Sequence, residues 1–199
     1  GPQAPACLAA ASGQLDIGEL ACFAWREVTL AGHAVTLLRL PGPGADAWRL
    51  LAPASGWTEV WAALLAAAAQ PIGWDAYDLL RVEAGLPAPG IELTDAVTPL
   101  EAGLLPYISQ SKGCYTGQEI IARQITYDKV TRGLRGLLLT QAVAPGALIE
   151  ADGRSIGAVS SSIYSPALAR AIALAFIKRD YTTAGAVVTV RSGDEISEG

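Results

Sequence analysis

Apolar and polar residues alternate closely enough over Phe23–Leu30 and His33–Leu40 to predict two strands, joined at Ala31-Gly32 as a tight hairpin. Ahead of them, residues 3–11 form an Ala/Leu run that reads as a short helix closed by Gly13. Pro41-Gly42-Pro43-Gly44 is a turn, and Trp48–Ala52 supplies a third strand. The spacing then becomes helical. One helix is predicted over Gly56–Ala69, with Ser55 as N-cap and Pro71 as stop, and a second over Trp74–Ala84, ended by Gly85 and Pro87. Strand pair, strand, helix, helix is the order of an α+β layer rather than a wound parallel sheet.

From Ile91 to Ser111 the chain is punctuated by Pro and Gly and reads as irregular, with Tyr107-Ile108-Ser109 extended. A helix follows Cys114 and runs to about Gln124. Beyond Thr131 the pattern changes to short strands at Leu134–Thr140, Ala147–Glu150, Ser155–Ser162, Ile172–Ile177 and Val187–Arg191, with Asp152-Gly153 among the turns. That spacing predicts a small antiparallel barrel. A boundary near residues 128–132 therefore separates an α+β region, 1–130, from a C-terminal β-barrel, 131–199. Glu-Ala-Gly-Leu occurs at 83–86 and again at 101–104, an echo too brief for a repeat architecture.

Composition narrows the classes. Of 199 residues, 51% are apolar and 17% charged, which places the chain among globular proteins with room for a real core. The net charge of −5 argues against broad attraction to nucleic acid or to an anionic membrane, since both need a positive surface. Arg123, Lys129, Arg132 and Arg135 lie within one short stretch and form either a local basic patch or a solvated face. Val60–Ala69 is too short to span a bilayer and reads as a core helix. Three widely spaced cysteines and a single histidine offer no metal-ligand pattern; a reducing, cytoplasmic compartment is expected.

The densest chemistry is Lys112-Gly113-Cys114-Tyr115-Thr116-Gly117-Gln118-Glu119. A thiol beside a cation and ahead of a helix start is favoured as thiolate. Thr116 and Glu119 have the spacing of a capping box, which starts ordinary helices too. Cys114 lacks a base for papain-type chemistry: the one histidine, His33, sits in a distant predicted strand and is expected to be exposed. Arg81 and Glu83, two apart on a helix, do not share a face and are not expected to pair. A loop carboxylate such as Glu101 is expected to be satisfied by nearby backbone N–H groups.

The octapeptide resembles the K-G-C-(F/Y)-x-G-Q-E signature of the YgfZ family, folate-binding relatives of the glycine-cleavage T-protein. Asp78-Leu79-Leu80-Arg81-Val82-Glu83-Ala84-Gly85 is similar to the D-x-L-R-x-E-A-G segment of both families, and Thr98-Pro99-Leu100-Glu101-Ala102-Gly103 to their T-P-x-E-A-G segment. Ile156–Ser161, Ser165–Leu168 and Ala171–Ala175 are similar to the C-terminal barrel run. Gly1-Pro2-Gln3-Ala4 also resembles a mid-domain G-P-x-A segment, which implies a further upstream segment in family members that contributes to the folate cavity; Gly1-Pro2 alternatively reads as a tag scar.

The resemblance implies that the fold is a partial α+β folate-binding region followed by the barrel, and that tetrahydrofolate or a related folate is the ligand. It places Glu83 in the folate pocket as acceptor for the pterin's N–H edge, with Arg81, Tyr77 and Arg123 as further lining candidates and Lys112 as attractant for an anionic tail. Of the two activities implied, the first is that of an accessory factor in iron–sulfur protein assembly or repair, with an indirect effect on tRNA modification. It would use the Cys114 thiol, with Lys112 beside it, toward iron–sulfur partners. The alternative is a tetrahydrofolate-dependent aminomethyltransferase of the T-protein class. T-proteins usually carry other residues at the Cys114 position and Arg or Lys at the Gln118 position, so the motif itself favours the first.

Overall fold

The computed structural model describes residues 1–13, 20–43, 46–192 and 195–198. The turn expected at residues 41–44 and the C-terminal tip therefore lie partly outside the described residues. The chain divides into two compact units, Gly1–Leu80 and Arg81–Gly199. The boundary expected at 128–132 lies inside the second.

In the first unit, helix α1 (Ala4–Ser12) ends at Gly13, whose N–H donates to the Ala9 carbonyl. Strands β1 (Trp25–Leu30), β2 (His33–Pro41) and β3 (Asp46–Leu51) form an antiparallel sheet in that order. Register pairs Val28 with Val35 and Leu30 with His33, so the predicted hairpin forms at Ala31-Gly32. Alternation puts Val28, Leu30, Val35 and Leu37 on one face, where they pack with Leu8 of α1 and Val60 of helix α2 (Trp57–Ala66).

Two local expectations are corrected here. Ser55 does not cap α2: residues Ala54–Gly56 form a 3₁₀ turn and Gly56 occupies the cap position with no side-chain cap bond. The helix also stops at Ala66, three residues short, with Ala68 in the left-handed region. His33 is half-buried rather than exposed. Its ring lies where a Cβ at Gly56 would come within 2.4 Å, so the imidazole fills the space that glycine leaves. Its Nε2 is 3.8 Å from Glu59 Oε2.

Helix α3 (Trp74–Glu83) contains the division between the units. Its end is closed by Gly85 and Leu86, whose N–H groups donate to the Val82 and Arg81 carbonyls. The second unit continues through turns and a 3₁₀ segment at Leu105–Tyr107, which takes in the first residue of the predicted Tyr107–Ser109 strand, and Ile108 after it is extended. After helix α4 (Gln118–Thr126) come β4 (Arg132–Leu139), β5 (Leu148–Ala151), β6 (Arg154–Ser165), β7 (Arg170–Lys178), β8 (Thr189–Ser192) and β9 (Glu195–Glu198). They form one antiparallel sheet in the order β4-β7-β6-β5-β8-β9. Leu139 of β4, Ile149 of β5 and Val190 of β8 share one core, so the sheet wraps around it. Strand β7 is buried on both faces. Ala171, Ala173, Ala175 and Ile177 face that core, while Ile172 and Leu174 face Val82, at the end of α3, with Leu134 and Ile163.

A polar node ties the irregular segment after α3 to this sheet. Arg81 and Glu92 are 2% and 0% exposed, and Arg81 Nη1 donates to Glu92 Oε2 at 2.8 Å. The same oxygen accepts the Ala88 N–H at 3.0 Å. Glu92 Oε1 accepts the Ser160 and Ser161 hydroxyls at 2.8 and 2.6 Å, and Arg81 Nη2 donates to Ser161 Oγ at 2.8 Å. Consecutive strand residues normally face opposite sides. Here a β-bulge between Val159 and Ser161 leaves Ser160 out of register and lets both hydroxyls reach one carboxylate.

A second contact docks the segment's next turn onto the sheet edge. Glu101 is 9% exposed; its carbonyl accepts the Leu134 N–H and its carboxylate accepts Arg132 Nε and the Thr98 N–H, each at 2.8 Å. Burial alone would raise the Glu101 pKa. The Arg132 hydrogen bond, the Thr98 N–H, the charge of Arg132 and the Thr98 hydroxyl outweigh it, and the net shift is downward.

Replacing Glu92 with Ala removes the carboxylate that Arg81 Nη1 meets in the interior, an expected loss of about 3–5 kcal/mol in denaturant unfolding. Arg81→Met combined with Glu92→Gln should cost less than the sum of the single changes, and strict additivity would contradict the pairing. Because the folded-state pKa of Glu101 is depressed, its contribution is fully present above the ordinary value of 4.5 and lost as pH falls through the folded value. The stability gap between the wild type and Glu101→Gln should therefore be largest near neutral pH and close below 4.5. A gap independent of pH would contradict this.

Candidate functional site

The octapeptide lies on turns that lead into α4. Cys114 is exposed, as are Lys112, Gly113, Thr116, Gly117 and Glu119; Tyr115 and Gln118 are half-buried. The Lys112 ammonium stands 4.6 Å from the centroid of the Tyr115 ring, a cation–π contact, and the Lys112 N–H donates to Ser109 Oγ. Cys114, Tyr115, Gly117, Gln118, Glu119 and Ile120 together line an open surface concavity of about 460 Å³.

The capping box does not form. Gly117, with φ 88°, is the N-cap of α4 and makes no side-chain cap bond, so Thr116 sits one residue too early for its hydroxyl to serve the first turn. The left-handed conformation that glycine tolerates sets the helix start instead. The Gly117 carbonyl accepts the Ile120 and Ile121 N–H groups. Helix α4 buries none of its residues, and Ile120 is 61% exposed. Gln124 ties the helix to the Thr98–Glu101 turn by donating to Thr98 Oγ1 at 3.2 Å. The side-chain oxygen of Gln124 is buried without a partner.

The remaining candidates separate. Arg81, expected beside a ligand, is instead the inward-facing residue of α3 and is bound to Glu92. Glu83 faces outward, in keeping with their spacing, and its Oε1 accepts the hydroxyl of the fully buried Ser165 at 2.5 Å. Oε2 of Glu83 carries no hydrogen bond among the described residues. Tyr77 belongs to the first unit, is 43% exposed and meets Trp74 edge-on at 5.9 Å. Arg123 is exposed on α4. The basic cluster is not one solvated face: Arg132 is paired with Glu101, and Lys129 stands 5.7 Å from the Tyr127 ring centroid.

Sequence reasoning missed Glu92, the buried carboxylate of this region. Its signals were its place between Ile91 and Leu93 and the Ser160-Ser161-Ser162 run inside an apolar strand, which left buried hydroxyls in need of an acceptor. Among the described residues no group of His, Cys, Asp and Glu could hold a metal ion, and no helix is long and apolar enough to cross a membrane.

Comparison with known proteins agrees with this architecture. A chloroplastic protein of Arabidopsis thaliana, described as a candidate transferase, is 40% identical over 152 residues, covering 76% of this chain and 35% of its own length. An aminomethyltransferase of Thermosynechococcus vestitus is 34% identical over 196 residues, covering 96% of this chain and 53% of the relative. The crystal structure of glycine cleavage system aminomethyltransferase T from Bartonella henselae superposes with a TM-score of 0.81 at 24% identity, over 100% of this chain and 55% of that one, and shares the fold. The chain thus spans about half the length of the aminomethyltransferases it matches. These names lie on the T-protein side of the resemblance rather than the YgfZ side. Residues 1–112 match the GCVT N-terminal domain and residues 132–197 the glycine cleavage T-protein C-terminal barrel domain, so the chain belongs to the glycine cleavage T-protein family.

Proposed function

We propose that this chain forms part of a tetrahydrofolate-dependent aminomethyltransferase of the T-protein class. The observation that carries the proposal is the match to an aminomethyltransferase across 96% of the chain. One open acceptor at the expected position supports it. Glu83 Oε1 is held by Ser165, which fixes the carboxylate, while Oε2 is left for a donor. A pterin's amino and ring N–H groups are the donors that such an oxygen suits. Tetrahydrofolate, when bound, supplies the amine that accepts a one-carbon unit. In this assignment Glu83 binds and orients the pterin, Arg123 is a secondary lining residue, and Lys112 attracts the anionic tail. Arg81 acts only through Glu92, holding the segment that follows α3.

The exposed thiol of Cys114 favours a second assignment, the YgfZ-type service to iron–sulfur proteins with folate as ligand. An accessible thiol is suited to exchange with a partner's thiol or cluster. The two assignments differ in whether ligand binding or the thiol is the working feature.

Equilibrium titration with tetrahydrofolate, followed by tryptophan fluorescence, separates them. Glu83→Gln should weaken binding by about tenfold, the worth of one charged hydrogen bond. Cys114→Ser should bind as the wild type does and transfer an aminomethyl group from a lipoylated carrier equally well. Wild-type binding unaffected by Glu83→Gln would contradict the placement of Glu83. Folate binding without any aminomethyl transfer, together with thiol exchange lost in Cys114→Ser, would favour the iron–sulfur assignment.

A further inference from the structure

Arg132, Gly133 and Arg135 at the start of β4, with Asp128, Val130, Arg179, Thr182 and Leu100, line a notch of about 140 Å³ in the second unit. Three arginines are among its lining residues, and they are not equivalent. Arg132 donates from Nε to Glu101 and from Nη2 to the Ala96 carbonyl, with its guanidinium 5.4 Å from the Phe176 ring centroid. Arg179 is paired with Asp128 at 2.6 Å. Arg135 has no carboxylate partner among the described residues; its one hydrogen bond runs from Nη1 to the carbonyl of its own neighbour, Leu134, at 2.7 Å.

Arg135 nevertheless has a built seat. Residues 133 and 135 lie on the same face of β4, and the guanidinium rests over Gly133, which is buried. A Cβ at Gly133 would stand 2.9 Å from Arg135 Nη1, and the three atoms nearest to it all belong to the Arg135 guanidinium. Glycine at this position is what allows the side chain to lie back along the strand.

We propose that this notch binds the carboxylate of a small organic anion or of an anionic tail, with Arg135 as its principal contact. Glu101 pairs with Arg132 and Asp128 with Arg179, and Asp180 adds a further negative charge near Arg179, so Arg135 is the guanidinium left with a charge that no carboxylate pairs among the described residues. A monoanionic carboxylate balances that charge and matches the planar fork of Arg135 in a bidentate pair. A phosphate dianion would leave excess negative charge beside Asp128 and Glu101.

Arginine Nε–Hε signals, followed by NMR during titration with sodium acetate against sodium chloride at constant ionic strength, test the site. Acetate should give saturable shifts of the Arg135 signal. Arg135→Gln should weaken binding, read on the Arg132 and Arg179 signals, by about tenfold, the worth of one charge-assisted pair. Gly133→Ala, which displaces the guanidinium without removing its charge, should weaken binding in the same direction. Shifts that do not saturate, or that persist unchanged in Arg135→Gln, would overturn the site. Inorganic phosphate binding more tightly than acetate would overturn the ligand class.

Discussion

The second unit depends on one buried carboxylate. Glu92 collects donors from four places: the guanidinium of Arg81 at the end of α3, the N–H of Ala88 in the following turn, and two hydroxyls of β6. Taking this charge and that of Arg81 out of water is expensive, and their attraction alone does not guarantee a stabilising balance. What the arrangement does supply is definition. The carboxylate is satisfied only when helix end, turn and bulged strand are all in place, so a segment with little regular structure acquires a single conformation. The Ala88 carbonyl adds to this by accepting the N–H groups of Ile91, Glu92 and Leu93.

That definition matters for the site because the same helix turn carries Glu83. Arg81 and Glu83 diverge, as two residues two apart on a helix must. With Arg81 drawn inward by Glu92, Glu83 is set outward and is held at one oxygen by Ser165. The interior ion pair thus fixes the direction in which the candidate pterin acceptor points. Further along, Glu101 performs a similar service at the sheet edge, and Gln124 links its turn to α4, the helix that follows the thiol motif.

Much of this was legible in the sequence where burial imposes a period. The hairpin at Ala31-Gly32 followed from alternation, and the short strand expected at Ile172–Ile177 lies within β7. Cooperative features were not legible. A bulge that turns Ser160 and Ser161 to one side obeys no period, and Glu92 gains meaning only when that bulge faces it. The Thr116–Glu119 spacing suggested a cap, but glycine at 117 could enter the left-handed region and moved the helix start past the threonine. The gap between Ser55 and α2 has a comparable cause: His33 needs the space over Gly56, and the chain makes a 3₁₀ turn before the helix.

Native-state hydrogen exchange tests the dependence on Glu92 most directly. If the carboxylate fixes the segment, the amides of Ala88, Glu92 and Leu93 should exchange as slowly as those of β7, opening only with the whole unit. Exchange of these three amides at the rate of an exposed turn, with β7 still protected, would show that the segment moves independently of the sheet and would contradict the account.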